Sequence, residues 1–337
     1  MRPSLVRART YRGTPRNLAR LAHALQRGEL VAVPTETVYG LAANALDARA
    51  CRRIFRAKGR PAQDPLIVHL ASAKELGQVA EANDAAFRLA RAFWPGPLTL
   101  VLPKKAAVPA VVSAGRPSVA VRVPRHPLFR RLLRLTGLPL AAPSANVFGY
   151  VSPTTAAHVQ AGLGNRIRHI LDGGAAEIGL ESTIVDLRDP DRPRLLRPGA
   201  VTRAQLERVL GRPVPAAATA RRPAAGAQLS PGLLRRHYSP RTPVVLHSRV
   251  ASAEIRRGSA REAWLLLARP AGVTRRLGRN VRWLGARGDL RGAARNLFAE
   301  LRALDTRGFS RLHVELAPEG GLGDAINDRL RRAAARR

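Results

Sequence analysis

At 337 residues the chain exceeds one average domain and suits two, each able to bury a core. Its hydrophobic and charged fractions, 45% and 24%, are those of globular protein, and no apolar run is long enough to span a bilayer. A single cysteine, Cys51, excludes an internal disulfide and a cysteine-based zinc site and fits a reducing cytoplasm.

The formal charge of +35 favours polyanionic partners such as RNA, nucleotides or phosphates. Only Lys58, Lys74, Lys104 and Lys105 are lysines; all other basic residues apart from histidine are arginines, spread along the whole chain. An Arg- and Ala-biased proteome explains that spread as well as a polyanion does, so charge alone names no partner. The stretch from Met1 to Arg20 is basic and lacks the apolar core of a secretory signal.

Short apolar runs punctuated by helical patterns fill the first two hundred residues. Strands are expected at Leu30–Val33, Leu66–Leu70, Leu98–Leu102, Val119–Val123, Leu138–Ala142, His169–Leu171, Thr183–Leu187 and Arg194–Leu196. Asp47 reads as the N-cap of a helix with Cys51, Ile54 and Phe55 on one face and Gly59 at its end. Thr202-Arg-Ala-Gln205 reads as a capping box opening a helix that Gly211 closes. The alternation predicts an α/β fold with crossovers covering a mixed sheet.

Residues 211–242 form a Pro/Ala/Gly/Arg-rich linker with one unusual island, Ser230-Pro-Gly-Leu-Leu-Arg-Arg-His-Tyr-Ser-Pro240. Strands resume at Val244–His247, Trp264–Ala268, Val281–Leu284 and Leu312–Leu316, with helices at Ala293–Leu304 and Asp324–Ala334. The expected organisation is a domain over 1–210, a linker over 211–242 and a small doubly wound α/β domain over 243–337.

Polar clusters follow several of these strands. Pro34-Thr-Glu-Thr-Val-Tyr-Gly40 sits where α/β sheets place ligands, although its hydroxyls could equally cap the next turn. Lys58-Gly-Arg-Pro61 ends the Asp47 helix, either to complement the negative helix end or to grip phosphate. His69 lies in the apolar run that follows Asp64 and needs a polar partner there. In Ser118-Val-Ala-Val-Arg-Val-Pro124 the valines share one face, which leaves Ser118, Ala120 and Arg122 on the other. That mid-strand arginine serves an interior ion pair or a carboxylate ligand. Ala141-Ala-Pro-Ser-Ala-Asn146, Ser152-Pro-Thr, Glu181-Ser-Thr-Ile-Val-Asp186 and Arg197-Pro-Gly199 add small residues, hydroxyls and another arginine near strand ends. A P-loop and a nucleophile elbow are both absent from the sequence, so the residues describe a basic, hydroxyl-rich cleft for a phosphorylated anion without a covalent nucleophile.

Taken in order, Pro34-Thr-Glu-Thr-Val-Tyr-Gly40, Lys58-Gly-Arg-Pro61, Pro65-Leu-Ile-Val-His69, Pro143-Ser-Ala-Asn146, Glu181-Ser-Thr-Ile-Val-Asp186 and Arg197-Pro-Gly199 resemble the YrdC-like family of threonylcarbamoyl-AMP synthases. The match covers about Leu18 to Leu210, while the island ending His237-Tyr-Ser-Pro240 and the closing α/β domain resemble the long, two-domain form. The resemblance implies a YrdC-like twisted mixed sheet with a basic cleft, then a small Rossmann-like domain. It implies an enzyme, a nucleotidyltransferase, acting on L-threonine, bicarbonate or carbon dioxide, and ATP with Mg2+, and needing no metal site made of protein ligands. A separate tRNA threonylcarbamoyl transferase would take the product, and weak RNA binding would follow from the charge. Thr35, His69, Arg122 and Ser182 would hold threonine. Lys58, Arg60, Asp64, Ser118, Ala142 through its backbone, Ser144, Asn146, Ser152, Arg197 and Tyr238 would surround ATP, with the linker closing as a lid. Asp64 stands where the family pattern has Asn, and a carboxylate beside phosphates needs a cation to face. Two alternatives remain: an RNA-binding protein, and a nucleotide-binding regulatory protein without turnover. A hydrogenase-maturation carbamoyltransferase shares this kind of domain but would need cysteine-rich zinc motifs that one cysteine cannot supply.

Overall fold

The computed structural model describes residues 7–217, 228–232, 237–269, 278–285 and 288–335. Ten strands form a mixed sheet: β1 (Arg9–Arg12), β2 (Val31–Val33), β3 (Gly40–Asn44), β4 (Ile67–His69), β5 (Leu98–Pro103), β6 (Ser118–Arg122), β7 (Leu140–Ala141), β8 (His169–Asp172), β9 (Thr183–Asp186) and β10 (Arg194–Arg197). They lie in the order β1-β8-β2-β3-β7-β4-β6-β5-β9-β10. All eight strands expected in this part of the chain are present. The one expected at Leu138–Ala142 contracts to two residues, and β1 and β3 add to the set.

The helices of this part are α1 (Pro15–Gln26), α2 (Ala48–Lys58), α3 (Asp84–Phe93), α4 (Ala110–Ser113), α5 (Pro127–Thr136), α6 (Ala156–Leu163) and α7 (Arg203–Leu210). α2 starts where the Asp47 side chain accepts from the Arg49 amide and stops at Gly59 in the left-handed conformation. Its apolar stripe of Cys51, Ile54 and Phe55 packs on the sheet, which fixes the direction in which Lys58 leaves its last turn. α7 carries the expected capping box between Thr202 and Gln205 and ends at Gly211.

The second unit is a parallel sheet of β11 (Val244–His247), β12 (Glu262–Ala268), β13 (Val281–Gly285) and β14 (Arg311–Glu315), ordered β11-β14-β12-β13. Helices α9 (Leu290–Asp305) and α10 (Leu322–Ala334) bury Leu297, Phe298, Leu301, Ile326 and Leu330 against one face. α8 (Ser252–Arg257) brings Ile255 to Trp264, Leu266 and Val281 on the other, so helices cover both faces as a doubly wound fold requires.

The two units share apolar core. Val38, Val151 and Leu180 of the first, and Tyr238 of the linker, pack in the same cluster as α9, α10 and the second sheet. Around that seam Arg302 of α9 donates to the Val151 and Ser152 carbonyls, and Tyr150 donates to Asp305 at 2.7 Å.

Candidate active site

The loop joining β2 to β3 is wholly buried from Pro34 to Tyr39, which is rare for a connection and demands internal partners for its polar groups. Thr35 Oγ accepts from the Thr37 and Val38 amides and donates to the Val38 carbonyl at 2.6 Å. Thr35 therefore caps the turn and also lines a cavity at the seam of the two units.

That cavity gathers all four threonine candidates, Thr35, His69, Arg122 and Ser182, on one wall system. Of the ATP candidates, Arg60, Ala142, Ser144, Arg197 and Tyr238 line it as well. Strand pairing explains part of this convergence: β4 and β6 run parallel with His69 beside Arg122. β5 pairs with β9, and Thr99 shares a 2.8 Å hydrogen bond with Ser182. Gly40 lets Ala142 approach, since a Cβ there would lie 3.2 Å from the alanine methyl.

The remaining ATP candidates stand behind the wall. Lys58 reaches the carbonyls of Ser144 and Asn146 and so fixes the small-residue loop that lines the cavity. Asn146 spends its amide on the Val147 and Tyr150 carbonyls, leaving Oδ1 buried without a hydrogen bond. Ser152 donates to Glu181, which does line the cavity. Ser118 is buried at the opposite end of β6 from Arg122, and the structure does not bring it to the wall.

Arg122 settles between the two roles open to it. Its side chain, 4% exposed, pairs with Glu36 at 2.7 Å, donates to the Gly96 carbonyl at 3.1 Å and donates to Thr37 Oγ at 2.9 Å. It is an interior ion pair whose fork also faces the cavity. Burial alone would raise the Glu36 carboxyl, but the Arg122 charge and hydrogen bond hold it below its usual value. His69 is driven to about 3 by burial and by Arg122, so it is neutral in ordinary buffers, and its Nδ1 has no partner.

The candidate phosphate-binding groups form a second charge cluster. Asp64 finds the cation it needs in Arg60, 3.0 Å away, with both side chains at most 2% exposed. Burial raises the Asp64 carboxyl against the pull of Arg60, Lys58 and Arg197. Burial likewise lowers Lys58 well below its ordinary value, with Arg60 adding to the effect. Arg197 holds the Ser182 carbonyl, Ser182 Oγ and the Pro231 carbonyl. Among the described residues no set of three or more His, Cys, Asp or Glu side chains is placed to hold a metal.

The described residues of the linker island enter this cluster. Pro231, Gly232, His237 and Tyr238 line the cavity; Leu233, Leu234, Arg235 and Arg236 lie outside the described residues. Gly232 has φ +81°, and a Cβ there would meet Tyr238 Oη at 2.7 Å and an Arg197 nitrogen at 2.9 Å, so only glycine fits. Tyr238 is fully buried, its ring stacked on Phe298 at 5.6 Å and its hydroxyl without a hydrogen bond. With the island seated, the space open to the centre of a water molecule is about 40 Å3, enough for a few waters and far too small for a nucleotide.

Four wall or supporting groups escaped the sequence reading: Glu36 as the partner of Arg122, Glu181, and the second unit's Arg302 and Arg329. Arg329 bonds Glu181 at 2.8 Å across 148 positions of sequence, and no local pattern announces such a pair.

Two domain-family models match the chain. One, for the Sua5, YciO and YrdC proteins and described as "Telomere recombination", covers residues 23–199; the other, "Threonylcarbamoyl-AMP synthase, C-terminal domain", covers 201–335. The threonylcarbamoyl-AMP synthase of Pyrococcus abyssi is 42% identical, the alignment taking in 93% of this chain and 92% of that one. The Bacillus subtilis protein of the same name is 41% identical over 95% and 93%. A crystal structure of Pyrococcus abyssi Sua5 complexed with L-threonine superposes with a TM-score of 0.87 at 39% identity, covering 96% of each chain.

Proposed function

The chain belongs to the threonylcarbamoyl-AMP synthases in their long, two-domain form, and we propose that its cleft joins L-threonine, carbon dioxide or bicarbonate, and ATP into L-threonylcarbamoyl-adenylate. Relatives of the same name make it an enzyme of the nucleotidyltransferase type. The observation that carries the reading is the convergence of Thr35, His69, Arg122 and Ser182 on one cavity beside the buried cations Arg60, Lys58 and Arg197.

In this reading the threonine amine adds to carbon dioxide and loses a proton to give a carbamate. A carbamate oxygen attacks the α-phosphorus, and the bond to pyrophosphate breaks. Arg122 orients the substrate carboxylate in competition with Glu36, while neutral His69 offers Nδ1 as a hydrogen-bonding atom without repelling the amine. Arg60, Lys58 and Arg197 neutralise charge gathering on the phosphates, so catalysis comes from positioning and electrostatics with no covalent enzyme intermediate. Magnesium would arrive on the triphosphate, where it shields phosphate charge. Asp64, with Oδ1 buried and free of hydrogen bonds, is the carboxylate that would hold it there, as in magnesium sites built from one or two carboxylates plus phosphates.

The product would pass to a separate transferase that modifies adenosine beside the anticodon of certain tRNAs, and weak RNA contact would follow from the net charge of +35. No helix among the described residues is long and apolar enough to cross a membrane, and the lone reduced cysteine fits work in the cytoplasm. The test is pyrophosphate release: it should require threonine and bicarbonate together with ATP. Equal release with threonine omitted would overturn the assignment.

A further inference from the structure

The last helix of the second unit places a side chain directly behind the cleft wall, against Glu181 and Tyr238. Arg329 of α10 is fully buried, with Nε 2.8 Å from Glu181 Oε2 and Nη1 2.6 Å from Asp328. Its guanidinium carbon lies 5.3 Å from the centre of the Tyr238 ring. Glu181 in turn takes a hydrogen bond from Ser152 on its other oxygen, lines the cavity and precedes Ser182. Burial opposes the Arg329 charge, but Tyr238, Glu181 and Asp328 outweigh it and keep it firmly protonated.

We propose that Arg329 is a positioning residue for the reaction, neutralising Glu181 so that the first unit's cations stay available to ATP and fixing Tyr238 over the cleft. The inference rests on the cleft being the ATP site. The physical argument concerns what Glu181 would do alone. A buried carboxylate without its cation must find another, and Arg197, which already interacts with it electrostatically, is at hand. Arg197 would then turn from phosphate to Glu181 and release Ser182, to which it now donates twice. Folding of the second unit would thus set the charge balance of the first unit's site, a role distinct from tethering the linker.

The test uses the full chain and reads ATP affinity by calorimetry, with KM for ATP and kcat measured alongside. Arg329→Met should weaken ATP binding about 10- to 150-fold, the range for losing a charge-assisted hydrogen bond. Adding Glu181→Gln to it removes the stray carboxylate and should restore affinity to within about threefold of wild type, the residual worth of one neutral hydrogen bond. A purely structural arginine predicts no such rescue. If Arg329→Met does not fold, Arg329→Lys, which keeps the charge and loses the fork, should show an intermediate rise in KM with kcat less affected. Wild-type ATP affinity in Arg329→Met, or a double variant no better than the single, overturns the proposal. Unweakened ATP binding by Lys58→Ala and Arg60→Ala would instead overturn the placing of ATP in this cleft.

Discussion

Lys58 offers the sharpest test of the phosphate site. Its ammonium belongs to a residue 1% exposed, donates to the Ser144 and Asn146 carbonyls, and has no carboxylate within ion-pair distance among the described residues. A buried cation in that position lacks an anion, and a triphosphate supplies one. Replacing Lys58 with Ala should therefore weaken ATP binding by about 1.5–3 kcal/mol, the value of one charge-assisted hydrogen bond. Folding stability should hardly fall, because removing a desolvated charge offsets the two carbonyls left without a donor. The pH dependence has a definite sign. Burial and Arg60 push Lys58 down in the free protein, and bound phosphate pushes it back up, so binding takes up a proton and ATP affinity falls as pH rises through the free-state value. Calorimetric titration of ATP in two buffers of different ionisation enthalpy measures that proton directly. If the lysine merely complements the end of α2, Lys58→Ala would bind ATP like wild type and lose only about 0.3–1 kcal/mol of stability.

Three further outcomes follow from the same site. Arg122→Lys keeps the charge but cannot hold Gly96, Thr37 and Glu36 at once, so threonine affinity should drop by roughly 1.5–3 kcal/mol while ATP affinity stays; an unchanged threonine titration refutes the fork. Asp64→Asn removes the anion that competes with phosphate for Arg60, and tighter ATP binding at low magnesium is expected; weaker binding at every magnesium concentration argues against competition. Tyr238→Ala opens the cover over the activated carbamate, so pyrophosphate release should outrun adenylate product; a proportionate fall in both would refute water exclusion.

Much of the scaffold is legible because buried strands of this sheet are apolar runs such as Leu98–Leu102 and Thr183–Leu187. β1 is not, since Arg-Thr-Tyr-Arg is an edge strand that buries only Tyr11. β3 is not, because Gly-Leu-Ala-Ala-Asn has no period and few large side chains, although four of its five residues are buried. α1 does carry a signal, Thr14 capping a helix with Pro15 in its first turn. The four residues proposed for threonine, which the structure brings to one cavity, stand out because each sits at or next to a strand in an unusual chemical setting. What cannot be read is the partner across the fold: that Arg122 would meet Glu36, or that α10 would return to Glu181. Those pairings depend on sheet order and domain docking, which sequence spacing does not encode.

The charges at the cleft explain why it is built from two units and a linker. Lys58, Arg60, Arg122, Arg197 and Arg329 are all buried, and each unpaired one would be costly to desolvate. Glu36, Asp64 and Glu181 offset three of them. In the proposed function, substrate carboxylate and triphosphate take over some of those pairings and displace Pro231, Gly232, His237 and Tyr238, which leave about 40 Å3 of space. On that reading the carboxylates would act as stand-ins for the substrates' own charge, holding the cations in place between turnovers. Tyr238 fits the proposed lid: φ +61° on a non-glycine residue and a buried hydroxyl without a hydrogen bond are strains that a segment built to release its hold would tolerate. A segment optimised for stability alone would carry neither.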